Sequence, residues 1–245
     1  MKVRLDKLLV DRNLVPSRER AQAMILAGKI LVNDQKIEKA GAGVDSAAEI
    51  RLLGEDLKYV SRGGLKLEKA LDHWGINVAG KTCLDIGTST GGFTDCLLQR
   101  GAARVIAVDT GRGQISFRLR QDPRVCLLEN TNARYLTREQ IGTAANFIAM
   151  DVSFISATLV LPTVVAAAIS KEAGGEIVVL VKPQFEVGRS RVGKGGIVKD
   201  PEAQQSAVDK VRTALEEVAA RETEAIESPI LGAEGNREFL LHGIF

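Results

Sequence analysis

The chain has 245 residues, of which 45% are hydrophobic and 26% charged, and its formal net charge is +2. These values are typical of a globular protein and exclude a disordered, collagen-like or coiled-coil chain. No apolar run approaches the roughly 20 residues of a membrane-spanning helix, and residues 1–6 lack the apolar core of a signal peptide. The three cysteines lack the Cys-x-x-Cys spacing of a zinc site and are too few for a disulfide framework. We therefore expect a soluble, cytoplasmic protein without a metal centre.

The first 58 residues have the pattern of a separate small α+β unit. Leu5, Leu8 and Leu9 recur at helical spacing and predict a first helix. Ser17 is a typical cap for a second helix, which Gly28 ends. A short hairpin and a closing strand are predicted at residues 30–37 and 49–53.

From about residue 81 the pattern changes to strands that alternate with helices. Strands are predicted at residues 81–86, 105–108, 125–128, 146–150, 176–181 and, at the sheet edge, 239–244. Helices are predicted at residues 93–100, 155–169 and 202–220. This alternation indicates an α/β fold with a mostly parallel sheet and helices on both faces.

Two connections have unusual compositions. Residues 58–64 carry a glycine pair, which is typical of a hinge or of a loop close to a ligand. Residues 184–200 form a connection of 17 residues with four glycines and no periodicity. Loops of that length in a compact domain are usually functional or mobile.

The most informative motif is CLDIGTSTGGFT at residues 83–94, where a strand ends in an acid and a glycine-rich turn follows. Its D-x-G-x-x-x-G-G spacing differs from both the nicotinamide fingerprint and the P-loop. Asp85 would repel a pyrophosphate and attract a cationic amino-acid group, while Asp109 at the end of the next strand suits ribose hydroxyls. Asn130 and Asn132 follow the third strand, where an amide can bind an adenine edge. Together these residues indicate S-adenosylmethionine as the cofactor. The predicted cofactor-binding residues are Asp85, Gly87, Ser89, Gly91, Gly92, Phe93, Asp109, Asn132 and Asp151.

Four ionisable side chains at strand ends and entry loops are the candidates for catalysis: Lys66, Asp151, Lys182 and Glu238. Methyl transfer to a ribose hydroxyl requires removal of the hydroxyl proton, and a lysine amine can accept it when burial or nearby positive charge lowers its pKa. Because Lys182 ends an apolar strand, we predict that it is the general base. Asp151 and Lys66 would orient it, and Glu238 would position Lys182 or the ribose. The two histidines lie in no recognisable catalytic pattern.

The motifs, taken in order, resemble a known family. The four ionisable positions with D-x-G-x-x-x-G-G are similar to the FtsJ-type ribose 2′-O-methyltransferases, and RLDKLLVDR with SRERAQAMILAGKILVN resembles an S4 RNA-binding domain. With SRGGLKL, MDVSFIS, LVKPQFEVG and GNREFL, the chain resembles the TlyA (hemolysin A) family of rRNA methyltransferases. The resemblance implies an S4 domain at residues 1–58, a linker at 59–64 and, at 65–245, an FtsJ-like domain with the Rossmann-like fold of S-adenosylmethionine-dependent methyltransferases.

The resemblance also implies an activity, which is 2′-O-methylation of a cytidine in ribosomal RNA. The implied catalytic tetrad is Lys66, Asp151, Lys182 and Glu238. Because the chain begins almost at the first S4 helix and stops just after its last strand, we expect the class that modifies 23S rRNA alone, with 16S rRNA as the alternative.

The charge of +2 is unevenly distributed along the chain. Residues 1–40 hold nine basic side chains against five acidic ones, residues 182–199 hold five against one, and residues 216–234 are acidic. The basic segments coincide with the S4-like unit and with the long loop after Lys182, where RNA phosphates would lie. The predicted RNA-binding residues are Arg4, Lys7, Arg18, Arg20, Lys29, Arg62, Arg189, Arg191 and Lys194. We expect a monomer that binds ribosomal RNA or an assembled ribosomal subunit, with no membrane or metal partner.

Alternative functions remain open at this point. A ribosome-binding factor with a vestigial cofactor site would bind RNA without transferring methyl groups. A membrane-active protein, as the hemolysin label suggests, would cause leakage of vesicles, and the lack of a long apolar segment argues against it. A small-molecule methyltransferase would share the cofactor site, whereas a nicotinamide oxidoreductase would need the absent G-x-G-x-x-G.

Overall fold

The chain folds into two compact units, Met1–Asp56 and Leu57–Phe245. The structure is a computed structural model that describes residues 2–53, 58–170, 172–232 and 235–245. The predicted domain boundary at residue 58 directly follows residues 54–57, which lie outside the described residues, as do residues 233–234 of the acidic segment.

The N-terminal unit combines two helices with two small antiparallel sheets. Its elements are β1 (Lys2–Arg4), α1 (Leu5–Asp11), α2 (Arg18–Leu26), β2 (Ile30–Val32), β3 (Gln35–Lys36), β4 (Gly43–Asp45) and β5 (Ile50–Leu52). The predicted helix cap is confirmed, because the Ser17 hydroxyl accepts a hydrogen bond of 3.2 Å from the Arg20 amide. The sequence pattern did not predict β1 and β4, which pair with each other over three residues each. The core of this unit includes Leu5, Leu9 and Ile25, all fully buried.

The C-terminal unit is built on one seven-stranded sheet. Its helices are α3 (Gly63–His73), α4 (Gly92–Gln99), α5 (Phe117–Arg120), α6 (Arg138–Ile141), α7 (Leu161–Ala168), α8 (Pro183–Glu186) and α9 (Pro201–Glu217). Its strands are β6 (Thr82–Ile86), β7 (Arg104–Val108), β8 (Val125–Leu128), β9 (Phe147–Met150), β10 (Glu176–Val181), β11 (Arg221–Glu227) and β12 (Phe239–Ile244). The strand order is β11-β12-β10-β9-β6-β7-β8. The five strands that are adjacent in the order β8-β7-β6-β9-β10 are parallel to one another, and β12 is antiparallel to both of its neighbours.

The sheet is covered on both faces, as the alternating pattern predicts. Residues of α7 and α9 belong to one apolar cluster with one face of the sheet, and residues of α3 and α4 belong to a second cluster with the other face. All four residues of β9 are buried, which is the burial expected for a central parallel strand. The predicted fold class is therefore confirmed.

Three details differ from the sequence predictions. Strand β12 is not at the edge of the sheet, because β11 pairs outside it. Strand β11 has the sequence RETEAIE, whose charges suit a solvated edge strand but hide its strand character from a hydrophobic pattern. The predicted helix at residues 155–169 is a 3₁₀ turn at Ala157–Leu159 followed by α7, which begins next to Pro162, and the long loop after Lys182 contains α8 and two 3₁₀ turns.

The order of the strands in the sheet predicts where a ligand binds. From β6 the chain proceeds to β7 and β8 on one side, whereas β9 and β10 lie on the other. The direction of strand addition therefore reverses between β6 and β9, and ligands of open α/β sheets bind outside the carboxyl ends of the strands at such a reversal. Gly87 follows β6 at this point, Asp151 follows β9, and Lys182 follows β10.

Candidate active site at the carboxyl edge of the sheet

A cavity of about 240 Å³ lies at the carboxyl ends of β6 and β9. Its walls are formed by the start of α3, the glycine-rich turn after β6, the end of β9 and a short segment before β12. The lining residues are Ser61, Arg62, Gly63, Lys66, Gly87, Thr88, Ser89, Thr90, Gly92, Phe93, Asp151, Ile230, Leu231 and Gly232. The structure thus brings Lys66 and Asp151 together with Gly87, Ser89, Gly92 and Phe93 of the glycine-rich motif, so residues from three separate motifs share one cavity. Sequence reasoning missed the wall at residues 230–232, because no motif of the cofactor or of the tetrad includes it.

Close backbone approach explains two glycines of the turn. Gly87 has a φ of +84°, and a Cβ there would lie 2.1 Å from the carbonyl oxygen of Asp151. A Cβ at Gly92 would lie 2.3 Å from the Ser61 hydroxyl. These glycines let the floor of the cavity close around a ligand without side chains filling it.

We expect Gly87→Ala to lower the free energy of unfolding by about 2–4 kcal/mol, because it adds a backbone clash to an unfavourable φ. Gly113→Ala is the matched control, since Gly113 also has a positive φ (+72°) but no atom within 4 Å of the added Cβ. Urea unfolding of both variants separates the two effects. Equal losses of stability would show that the contact with Asp151 is relieved by a small backbone shift.

Asp85 on β6, two positions before Gly87, is fully buried and does not line the cavity. Its Oδ2 accepts a hydrogen bond of 2.6 Å from the Thr94 hydroxyl, whereas its Oδ1 is buried without a hydrogen-bond partner. Burial raises the pKa of Asp85 to about 7, and the carboxylates of Asp151 and Asp109 contribute to the rise. An unsatisfied buried carboxylate oxygen at this point suits a cationic ligand group better than an anionic one.

The two residues predicted for the adenosine moiety lie outside the cavity. The carboxylate of Asp109 accepts hydrogen bonds from the backbone amides of Ser89 (2.7 Å) and Gly111 (2.6 Å), so it fastens the glycine-rich turn to the loop after β7. The exposed Asn132 caps a short helical turn by accepting from the Arg134 amide at 3.0 Å. Gly91 is not among the lining residues either, and a Cβ added there would meet Leu119. Ribose and adenine contacts at these positions stay predictions.

The four ionisable residues form two separate ion pairs. Lys66 on α3 pairs with Glu238, and both side chains are buried. Lys182 pairs with Asp151 at 2.5 Å, and its Nζ also donates a hydrogen bond of 2.7 Å to the hydroxyl of Ser153. Of the two residues predicted to orient Lys182, Asp151 contacts it, together with Ser153. Lys66 pairs with Glu238 instead.

The residue that comes after Ser153 in the chain has an exposed aromatic side chain. Phe154 is 92% exposed, has a φ of +65° and lies with its ring 5.3 Å from that of Phe185 on α8. A large apolar side chain presented to solvent in a left-handed conformation is strained, and such strain is retained mainly at functional sites. Phe154 lies within the motif MDVSFIS, but the sequence pattern predicts no role for it.

The predicted RNA-binding cations lie mostly on the surface. Arg62 lines the cavity, and Arg189, Arg191 and Lys194 are exposed on the loop after α8. In the N-terminal unit, Lys7 and Lys29 are exposed and Arg20 is partly buried, whereas Arg4 and Arg18 are both engaged with Asp6.

Comparison with known proteins identifies both units. The FtsJ-like methyltransferase family matches residues 59–245, and the S4 domain family matches residues 3–50. The chain is 45% identical over 241 residues to the 16S/23S rRNA (cytidine-2′-O)-methyltransferase TlyA of Mycobacterium tuberculosis, covering 98% of this chain and 89% of that protein. It is 34% identical over 257 residues to the 23S rRNA (cytidine-2′-O)-methyltransferase TlyA of Campylobacter jejuni, covering 96% of this chain and 97% of that protein.

A solved structure supports the same assignment. A hemolysin-named protein from Streptococcus thermophilus superposes with a TM-score of 0.76 and 41% identity, covering 99% of this chain and 88% of that one. Among the described residues, no helix is long and apolar enough to cross a membrane. The chain belongs to the TlyA (hemolysin A) family, in which an S4 domain precedes an FtsJ-like methyltransferase domain.

Proposed function

We propose that this protein transfers the methyl group of S-adenosylmethionine to the 2′-hydroxyl of a cytidine in ribosomal RNA. The observation that carries the proposal is the second ion pair: a lysine held by one carboxylate and one hydroxyl at the carboxyl edge of the sheet, beside an exposed aromatic ring. A lysine in this setting can accept a proton, and the cavity can hold the methyl donor. The aromatic ring can stack on a nucleobase of RNA.

The residues around the cavity fit S-adenosylmethionine. Gly87 and Gly92 keep the cavity free of side chains at these two positions, and Asp85, two positions before Gly87, has an unpartnered Oδ1. When bound, S-adenosylmethionine supplies an electrophilic methyl group on a positively charged sulfur. Carboxylates and backbone carbonyls at this edge suit a cationic ligand electrostatically.

Lys182 accepts the proton of the ribose hydroxyl. A neutral lysine amine has two N–H groups and one lone pair; one N–H of Lys182 donates to the Ser153 hydroxyl, and the Asp151 carboxylate lies 2.5 Å from Nζ as an ion-pair partner beside the other. The lone pair is thereby left for the hydroxyl proton. Lys182 would take the hydroxyl proton to Nζ as the 2′-oxygen bonds to the methyl group; the bound donor would supply that methyl group with loss of its C–S bond and leave as the neutral thioether, and the new ammonium would face the Asp151 carboxylate. Much of the acceleration comes from holding the two reactants in line.

The pair of Lys66 and Glu238 has a different role. Lys66 lines the cavity and Glu238 is buried behind it, close to Gly232 of the cavity wall. A buried carboxylate fixes the position of the Lys66 ammonium, which is a hydrogen-bond donor for the ribose or for the carboxylate of the methyl donor. This pair positions substrates and does not take the hydroxyl proton.

Ribosomal RNA is proposed as the substrate from the family. Both named relatives act on 23S rRNA, and the M. tuberculosis protein acts on 16S rRNA as well. We therefore propose 23S rRNA as the first target, with the S4 domain and the basic side chains of the C-terminal unit as the RNA-binding surfaces.

The direct test is to map 2′-O-methylation on 16S and 23S rRNA in cells with and without the gene. We expect a cytidine of 23S rRNA to lose its methyl group in the deletion strain. Transfer of tritium from labelled S-adenosylmethionine to purified 50S subunits and to naked rRNA then identifies the form of the substrate. RNA binding without tritium transfer in any form would favour a non-enzymatic ribosome-binding factor.

We expect Phe154→Ala to lower kcat/KM for RNA about tenfold, because stacking of a base on an aromatic ring contributes roughly 1–3 kcal/mol. The dissociation constant for S-adenosylmethionine stays the same, and Phe154→Trp retains activity. Phe117→Ala removes another exposed ring, 68% exposed on α5, and serves as the control. Equal activities of the two alanine variants would argue against a base on Phe154.

A further inference from the structure

Among residues 2–53 of the N-terminal unit, one carboxylate is fully buried, that of Asp6, and it binds three side chains. Arg4 donates to both of its oxygens, from Nε to Oδ1 at 3.0 Å and from Nη2 to Oδ2 at 2.9 Å. Arg18 donates from Nε to Oδ2 at 3.0 Å, and Gln22 from Nε2 to the same oxygen at 3.0 Å. The hydrogen bond from Arg4 is the main reason that the pKa of Asp6 lies well below its usual range, so the carboxylate is ionised at any working pH.

The contact with Asp6 uses only some of the hydrogen-bond donors of Arg4 and Arg18. A guanidinium has five N–H donors, of which Arg4 commits two and Arg18 commits one to Asp6. Their side chains remain 53% and 52% exposed. Because both bind the same carboxylate oxygen, the two guanidinium groups are neighbours with their remaining donors available to solvent.

Other cations of the unit are arranged differently. The guanidinium of Arg12 donates to the backbone carbonyls of Ala48 and Ser46, which is a structural use. Arg51 pairs with Asp34 on the surface, where both side chains are more than half exposed. Around Asp6, by contrast, the carboxylate is buried and the cations are exposed, so the acid is inaccessible to a ligand and the arginines are accessible.

We propose that Asp6 is a positioning residue that holds Arg4 and Arg18 as one two-arginine site for a phosphodiester of RNA. The proposal rests on the proposed function, since it concerns how the RNA substrate is bound. A freely rotating arginine loses side-chain entropy when it binds a phosphate, and the buried carboxylate removes that cost in advance. The guanidinium fork suits two oxygens of a phosphate, which an ammonium does not reproduce.

The substitution Asp6→Asn, made in the full chain, tests the proposal by the direction in which the RNA affinity changes. The substitution removes a negative charge, so long-range electrostatics alone predicts tighter binding of RNA. Positioning predicts the opposite: about tenfold weaker binding of 23S rRNA transcribed in vitro, with the slope of log K against log salt reduced by about one. Filter binding at several KCl concentrations measures both quantities, and thermal melting by circular dichroism shows that the unit is folded. Binding as tight as, or tighter than, that of the unmodified protein would overturn the proposal.

A charge-conserving variant decides the matter if Asp6→Asn does not fold. The double variant with Arg4→Lys and Arg18→Lys keeps the net charge and an ion pair with Asp6 but loses both forks. We expect about tenfold weaker RNA binding, whereas Arg51→Lys changes it less than twofold. Equal affinities of these two proteins would overturn the proposal. Tritium transfer by the unmodified protein is measured separately, so failure of the methyltransferase function is distinguishable from failure of the arginine site.

Discussion

Replacement of Lys182 by alanine is expected to lower the rate of methyl transfer about 10³-fold in single-turnover assays. Removal of a positioned general base typically costs a factor of 10² to 10⁴. Lys182 does not line the cavity, so the dissociation constant for S-adenosylmethionine should change less than about twofold.

Two further lysines give the controls for this experiment. Lys69→Ala removes an exposed lysine of α3 and should leave both rate and affinity unchanged. Lys66→Ala removes a lysine that lines the cavity and leaves Glu238 buried without its partner, so we expect weaker cofactor binding together with a lower rate. If Lys182→Ala kept its full rate, the hydroxyl proton would have to go to another acceptor.

The sequence predicts that several of the candidate residues lie at one edge of the sheet, but it does not predict which of them contact one another. Glycines, acids and lysines that follow apolar runs are expected at the carboxyl edge of a parallel sheet, and the structure brings Lys66, Gly87 and Asp151 to one cavity there. Which lysine meets which carboxylate depends on distances of a few ångströms between elements far apart in the chain. Lys66 and Glu238 are separated by 172 positions, and no periodicity encodes that contact.

The fold was predictable wherever burial dominates the sequence pattern. Strands β6 to β10 are apolar runs, because a parallel strand covered on both faces needs them. Strand β11 lies at the edge and has four charged residues among its seven, RETEAIE. Its place in the sheet depends on backbone pairing with β12, which the sequence composition does not show. The same limit applies to Arg4 and Arg18, since their charge was evident but their shared contact with Asp6 required the structure.

Asp85→Asn is the substitution with the largest expected effect on stability as a function of pH. Burial raises the pKa of Asp85 to about 7 in the folded protein, whereas an aspartate in an unfolded chain has a pKa of about 3.9. Between these values the folded state keeps a proton that the unfolded state has released, so stability is lost as pH rises from about 4 to about 7. One pKa unit corresponds to about 1.4 kcal/mol, which gives a loss of about 2–3 kcal/mol between pH 5 and pH 8. Asparagine does not titrate, so the free energy of unfolding of the variant does not fall for this reason as the pH rises.

Urea unfolding at pH 5 and pH 8 tests this expectation. The stability of Asp85→Asn relative to the unmodified protein should increase by about 2–3 kcal/mol between the two pH values. Asp122→Asn is the control, because the hydrogen bond from Arg124 lowers the pKa of Asp122 and its titration falls below this range. A constant difference for Asp85→Asn would mean that the carboxyl does not titrate between pH 5 and pH 8.

The same substitution should weaken binding of the methyl donor. The cationic cofactor favours the ionised form of Asp85, so the affinity of the unmodified protein should fall as pH drops below about 7. Asparagine offers no charge, and we expect calorimetry to give at least about tenfold weaker binding at pH 8 with little dependence on pH. A variant that is more stable at pH 8 yet binds the cofactor less well would show that the buried charge of Asp85 is retained for function at a cost in stability. Unchanged affinity would instead limit Asp85 to holding Thr94 at the start of α4.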